Sequence, residues 1–269
     1  MKKLLNICIL AASLGLLNSC GEYQRVLKTS DPSIKYEYAK KWYDEGKYAQ
    51  SASVLSEMVS TFKGTERAEE TLYMLGMCNY HNKDYPTAGT YLHTYYTRYP
   101  KGKYAEDAHY YAGMGYYLDS PDVQLDQSGT VKAIEELTGF LEYYPQSPRV
   151  QEVQNVIFEL QDKLALKQLQ NAQLYYNLGT YGGNNFQSAI VVAQNALKNY
   201  PYSVHKEEFE MLILKSRFKE ADLSVAEKQP ERFRTVIDEY YNFINAYPES
   251  SHRNEADNIF KIASKHVKE

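Results

Sequence analysis

The chain has 269 residues, 30 basic against 34 acidic side chains and a formal net charge of −4. That balance carries no basic footprint for nucleic acid, and three cysteines are too few for a disulfide framework. Its compositional signature is tyrosine, 27 residues against one tryptophan, a side chain that joins a stiff apolar face to a polar tip.

The chain opens with a processing signal. Lys2 and Lys3 precede an uncharged, mostly apolar run from Leu4 to Leu17. Such a run is too short to cross a bilayer and suits a secretory signal. It ends in Leu17-Asn18-Ser19-Cys20, which is similar to the bacterial lipobox. The resemblance implies a signal peptide over residues 1–19 and covalent lipid on Cys20, the stable anchor that several acyl chains give. Residues 20–32 are then expected as a lipidated tether. By resemblance to enteric sorting rules, Gly21 in place of an aspartate implies the outer membrane, and the lack of an acidic run directly after Cys20, unlike the surface-export signal of some lipoproteins, implies the periplasmic side. Cys8 leaves with the signal peptide, so only Cys78 remains as a free thiol, expected in the core.

From residue 33 the chain matches itself at a period of 37 residues. Tyr36, Tyr73 and Tyr110 are in step, as are Tyr43, Tyr80 and Tyr117, and Ala39, Gly76 and Gly113. Tyr-Pro closes successive units at Tyr99-Pro100, Tyr144-Pro145, Tyr200-Pro201 and Tyr247-Pro248, where proline ends a helix. This resembles the tetratricopeptide repeat (TPR), a helix–turn–helix unit with a small residue in each helix. Ala39, Gly76 and Gly113 fill the first slot. Ala88, Ala133 and Ala189 fill the second, twelve residues before the closing proline.

The expected fold is all-α: a right-handed solenoid of about five TPR-like helix pairs with a C-terminal capping helix. The repeats run over Pro32–Thr65, Glu69–Gly102, Glu106–Ser147, Gln151–Ser203 and Lys206–Ser250. The third carries a loop near Leu118–Gly129 and the fourth a glycine turn at Gly179–Asn184. The amphipathic stretch Asn254–Val267 caps the stack. Two domains are expected, residues 33–149 with repeats one to three and residues 150–269 with repeats four, five and the cap.

TPR geometry turns three positions of each first helix toward a concave groove. Here these are Tyr36, Lys40 and Tyr43, then Tyr73, Met77 and Tyr80, then Tyr110, Met114 and Tyr117. A tyrosine and methionine lining suits an extended, aromatic-rich polypeptide. A tyrosine at this period serves equally as packing between repeats, and Trp42 is expected as packing. Catalytic motifs are missing: there is no His-Glu-x-x-His, no phosphate loop, no Gly-x-Ser-x-Gly and no Cys-x-x-Cys. His81, His93 and His109 do not share a helix face, and Asp119, Asp122 and Asp126 lack the glycine and closing glutamate of a calcium loop.

A lipobox followed by about five such repeats with Tyr-Pro boundaries, and a long helix over Leu160–Gly179 containing Tyr175 and Tyr176, resembles the BamD family, the lipoprotein of the outer-membrane β-barrel assembly machinery. The resemblance implies a non-enzymatic scaffold with no cofactor beyond the lipid on Cys20. Its N-terminal repeats would receive unfolded β-barrel proteins. Its C-terminal repeats, with Lys198 and Arg217 as candidate docking residues, would bind the periplasmic domains of the barrel-forming subunit. Two alternatives are an envelope scaffold linked to the Tol system or cell division, and a nutrient-binding lipoprotein of the SusD type.

Overall fold

A computed structural model describes residues 21–267. Cys20 and the signal peptide lie outside the described residues. Among those described there is no strand, and eleven helices follow a short helical stretch at 21–28. They are α1 (Pro32–Asp44), α2 (Tyr48–Thr61), α3 (Arg67–His81), α4 (Tyr85–Arg98), α5 (Ala105–Leu118), α6 (Ser128–Tyr143), α7 (Val150–Leu178), α8 (Asn185–Asn199), α9 (Lys206–Asp222), α10 (Gln229–Ala246) and α11 (Arg253–Ala263). Five helix pairs and a terminal helix make an all-α, TPR-like solenoid.

Local chemistry sets the helix ends. Asp31 caps α1 by accepting from the Ser33 amide at 2.8 Å, with Pro32 in the first turn; Asp84 and Asn184 cap α4 and α8 in the same way. Tyr99, Tyr200 and Tyr247 end α4, α8 and α10 with φ between −123° and −129°, as the following proline requires.

The chain divides into two compact units, and the division falls inside α7. The first comprises residues up to Ser120 together with Ser128–Val153; the second comprises Pro121–Gln127 and everything from Gln154. In the first unit, Trp42, Val54, Leu55, Leu75 and Cys78 build one cluster and Leu92, Tyr95, Ala108 and Ala112 another. The Cys78 thiol is fully buried, and desolvation pushes its pKa up to about 11. The small-residue slots are steric necessities: a Cβ on Gly76 would stand 2.6 Å from Leu92 Cδ2, and one on Gly113 would stand 2.5 Å from Leu137 Cδ2. Ala88, Ala133 and Ala189 are likewise fully buried.

The expected tether needs correcting. Residues 21–28 are helical, Val26 is buried in the first cluster, and the Tyr23 ring meets Trp42 edge-on at 5.4 Å. Apolar Val26 and aromatic Tyr23 bury surface on α1 that a free tether would leave wet.

In the second unit, Ala165, Ala172, Ile190, Ala193, Phe209 and Leu212 join α7 to α8 and α9. Leu214, Phe233, Val236, Phe243 and Ile259 join α9 to α10 and α11. The loop of the third repeat is held by Lys167, whose ammonium donates to the carbonyls of Val123, Gln124 and Leu125 at 3.3, 3.3 and 2.6 Å.

Candidate binding surfaces

The three in-step tyrosines do not line an open groove. Tyr36, Tyr73 and Tyr110 are 4%, 9% and 8% exposed, and Met77 and Met114 are buried beside them. The groove expectation is corrected for these five side chains, which are packing between repeats. The reason lies at the other end of each ring. The Tyr36 hydroxyl donates to Glu70, and the Tyr110 hydroxyl donates to Glu152 Oε1 at 2.9 Å, each acceptor standing in the first turn of the next repeat's first helix. Arg67 lies over the Tyr36 ring at 4.9 Å and Arg149 over the Tyr110 ring at 4.4 Å. Lys40 joins Glu70 at 2.8 Å, and Asp107 holds Arg149 at 2.6 Å. The middle step differs: Tyr73 stacks on Tyr104 at 4.2 Å. Desolvation, reinforced by the facing carboxylates, holds the Tyr36 and Tyr110 phenols well above the ordinary tyrosine value.

The second tyrosine series is half-buried and reachable from solvent. Tyr43 meets Tyr48 edge-on at 5.8 Å, and one period later Tyr80 meets Tyr85 at 5.5 Å. Burial pushes the Tyr80 phenol up to about 12. Tyr117 is half-buried at the matching place on α5. Of the six tyrosines in the two in-step series, these three are the ones that a ligand could touch.

Of the two docking candidates, Lys198 is exposed in the last turn of α8. Arg217 is engaged inside its own repeat, its Nε donating to Glu239 Oε1 at 2.9 Å and tying α9 to α10. That internal link leaves its guanidinium already paired, unlike the ammonium of Lys198, which has no ion pair among the described residues.

Sequence reasoning missed a second set of links at the Tyr-Pro turns. Glu69 accepts from the Tyr95 hydroxyl at 2.5 Å and the Lys103 amide at 2.9 Å. Asp162 accepts from the Ser203 hydroxyl at 2.6 Å and the Val204 amide at 3.0 Å; Glu207 accepts from the Ser250 hydroxyl at 2.5 Å. The signal was there: serine stands three residues after the boundary tyrosine at Ser147, Ser203 and Ser250, and Gly102 replaces it where Tyr95 supplies the hydroxyl.

Also unforeseen is a groove of 480 Å³ in the second unit, between the C-terminal half of α7 and the N-terminal half of α9. Met211 and Leu212 form its floor, with Leu169 and Leu174 beside them. Among the described residues no group of three His, Cys, Asp or Glu side chains converges as metal ligands, and no helix is long and apolar enough to cross a membrane.

Residues 28–183 match the family model YfiO, described as an outer membrane lipoprotein. Over 227 residues, 84% of this chain and 71% of the relative, the sequence is 27% identical to the protein of Aquifex aeolicus (strain VF5) named as outer membrane protein assembly factor BamD. Among solved structures, the TPR2AB domain–pHSP90 complex of yeast Sti1 aligns over 87% of this chain and 98% of its own, at 12% identity and a TM-score of 0.38. With more than half of its length matched, the chain belongs to the YfiO family of outer membrane lipoproteins.

Proposed function

We propose that this protein is a lipid-anchored, non-catalytic scaffold of the machinery that assembles β-barrel proteins in the outer membrane. Acyl chains on Cys20 hold it at the periplasmic face, and no cofactor takes part. It binds unfolded barrel proteins through the first unit, with Tyr43, Tyr80 and Tyr117 as the reachable contacts. It binds the periplasmic domains of the barrel-forming subunit through the second, with Lys198 on the docking side.

The observation that carries this reading is the family match over residues 28–183. The relative named for outer membrane protein assembly supports it, and so does the lipobox-like Leu17–Cys20. The helix pairs suit the role, since a stack of repeats offers long surfaces without an enclosed active site.

The test is purification of the full-length, C-terminally tagged chain from detergent-solubilised envelopes, with mass spectrometry of what accompanies it. Recovery of a large barrel protein bearing periplasmic repeat domains is expected, and Lys198→Glu should reduce it. Recovery of only Tol components or a nutrient transporter would overturn the assembly role.

A further inference from the structure

We propose that the groove between α7 and α9 binds an extended polypeptide segment that carries a large apolar side chain next to a basic one. This deepens the scaffold reading above and rests on it for the class of ligand, but places a binding site in the second unit.

The groove is built from two kinds of side chain. Its floor is apolar, with Met211 and Leu212 each 3% exposed, while Leu174 at its edge is 57% exposed. A leucine this open on a helix whose opposite side is packed into the core has apolar area to give to a partner, roughly 25 cal/mol for each Å² covered. The second kind is a row of carboxamides. Gln170, Gln173 and Asn177 lie at helical spacing on one exposed stripe of α7 together with Leu174. Gln173 Nε2 donates to Asn177 Oδ1 at 2.8 Å, which leaves the Gln173 carbonyl and the Asn177 amide hydrogens without a partner among the described residues. Gln170 has no hydrogen-bond partner among the described residues.

Carboxamides both donate and accept, so they match a peptide backbone whose own N–H and C=O groups are unused. A helical ligand has already spent those groups within itself; an extended one has not. Gln170 to Asn177 covers about 10 Å of helix axis at ~1.5 Å per residue, close to three residues of extended chain at ~3.3 Å each. The charge on the rim sets the remaining preference. Lys215 is neutralised by Glu255 at 2.9 Å. Glu208 is exposed and has no ion pair among the described residues, so the carboxylate left to meet a ligand favours a basic residue beside the buried apolar one.

Fluorescence anisotropy of the full-length chain in detergent micelles tests this directly. The probe is a fluorescein-labelled nonapeptide of alternating serine or threonine and leucine, with one arginine next to the central leucine. Binding is expected to weaken by at least ~10-fold in Leu174→Glu and by ~3-fold in Gln170→Ala with Gln173→Ala. Glu208→Lys should reverse the preference between the arginine peptide and its glutamate counterpart. Leu174 and Glu208 are exposed, and an unchanged circular dichroism spectrum certifies the fold; should Leu174→Glu unfold, the charge reversal at Glu208 decides alone. Affinity unchanged in all three variants, or lost only in Tyr80→Ala, overturns the proposal. The two readings fail separately. Unchanged peptide binding with successful recovery of the barrel subunit removes the groove and leaves the scaffold, whereas peptide binding lost in Leu174→Glu without that recovery removes the assembly role and leaves the groove.

Discussion

The Tyr110 hydroxyl donates to Glu152 Oε1 at 2.9 Å, linking the first helix of the third repeat to the first turn of α7. The ring is 8% exposed and also sits 4.4 Å under Arg149. Its apolar body therefore outweighs its polar tip. Tyr110→Phe should lower stability by about 0.5–1.5 kcal/mol, the net worth of one hydrogen bond, because exposed Glu152 can turn to water. Tyr110→Ala should cost about 3–5 kcal/mol through the cavity it opens. Thermal unfolding of both variants checks this. Equal and small losses would mean that Tyr110 faces a groove after all.

The close approach at Gly76 makes a sharper demand. A methyl group there meets Leu92 Cδ2 at 2.6 Å and Leu92 Cγ at 2.7 Å, and a crowded core resists by about 1–3 kcal/mol. Gly76→Ala should therefore destabilise the second repeat, although alanine is the better helix former by about 1 kcal/mol. Combining it with Leu92→Ala should restore part of the loss that the separate changes predict, a coupling of about 0.5–3 kcal/mol in a double-mutant cycle. Strict additivity would show that α3 and α4 can slide apart.

Much of this architecture was legible in the sequence. The period located the first three helix pairs and the Tyr-Pro stops the last two, each to within a few residues, since small-residue slots and Tyr-Pro stops are local chemistry. What the period could not do was tell a groove residue from an inter-repeat one. Both recur at the same spacing, and the choice turns on whether Glu70 and Glu152, one repeat onward, reach the phenol. The Arg217–Glu239 link was hidden for the same reason, its two members lying 22 residues apart on successive helices. The short helix at 21–28 was hidden by the lipobox just before it, which made the following residues read as tether. The α7–α9 groove escaped because its glutamines and asparagine carry no motif and matter only beside Met211 and Leu212.

His109 should make the first unit acid-sensitive. The imidazole is buried, stacks on Tyr96 at 4.0 Å, and desolvation lowers its pKa from 6.5 to about 4 against the opposing pull of Glu136. His93 also contributes a small lowering, while Tyr143 and Tyr144 flank the ring. A folded pKa below the unfolded one means that the unfolded chain takes up the proton first. The contribution is complete above pH 6.5 and is lost as pH falls toward about 4. The melting temperature should drop across that window, and His109→Gln should flatten the drop. Carboxylates that do not touch the ring contribute equally to both proteins, so the difference between the two curves reports the histidine together with its interaction with Glu136.

Asp162 is the clearest case of a side chain whose loss should act at a distance in sequence but locally in space. Its Oδ1 accepts from the Ser203 hydroxyl at 2.6 Å and from the Val204 amide at 3.0 Å, fixing the turn that starts α9. Ser203 Oγ in turn accepts from the His205 amide at 3.1 Å. Asp162→Ala strands the Val204 amide and frees the Ser203 hydroxyl to rotate, a loss comparable to removing a helix cap, about 0.5–2 kcal/mol. Asp162→Asn keeps an acceptor in place and should recover most of it. Hydrogen exchange should quicken at Val204, His205 and the first turn of α9 in the alanine variant, with no change in α11. Acceleration spread evenly over the second unit would instead mean that Asp162 serves packing rather than the turn. The same logic predicts a weaker effect of Ser203→Ala, because the amide bond to Asp162 survives it.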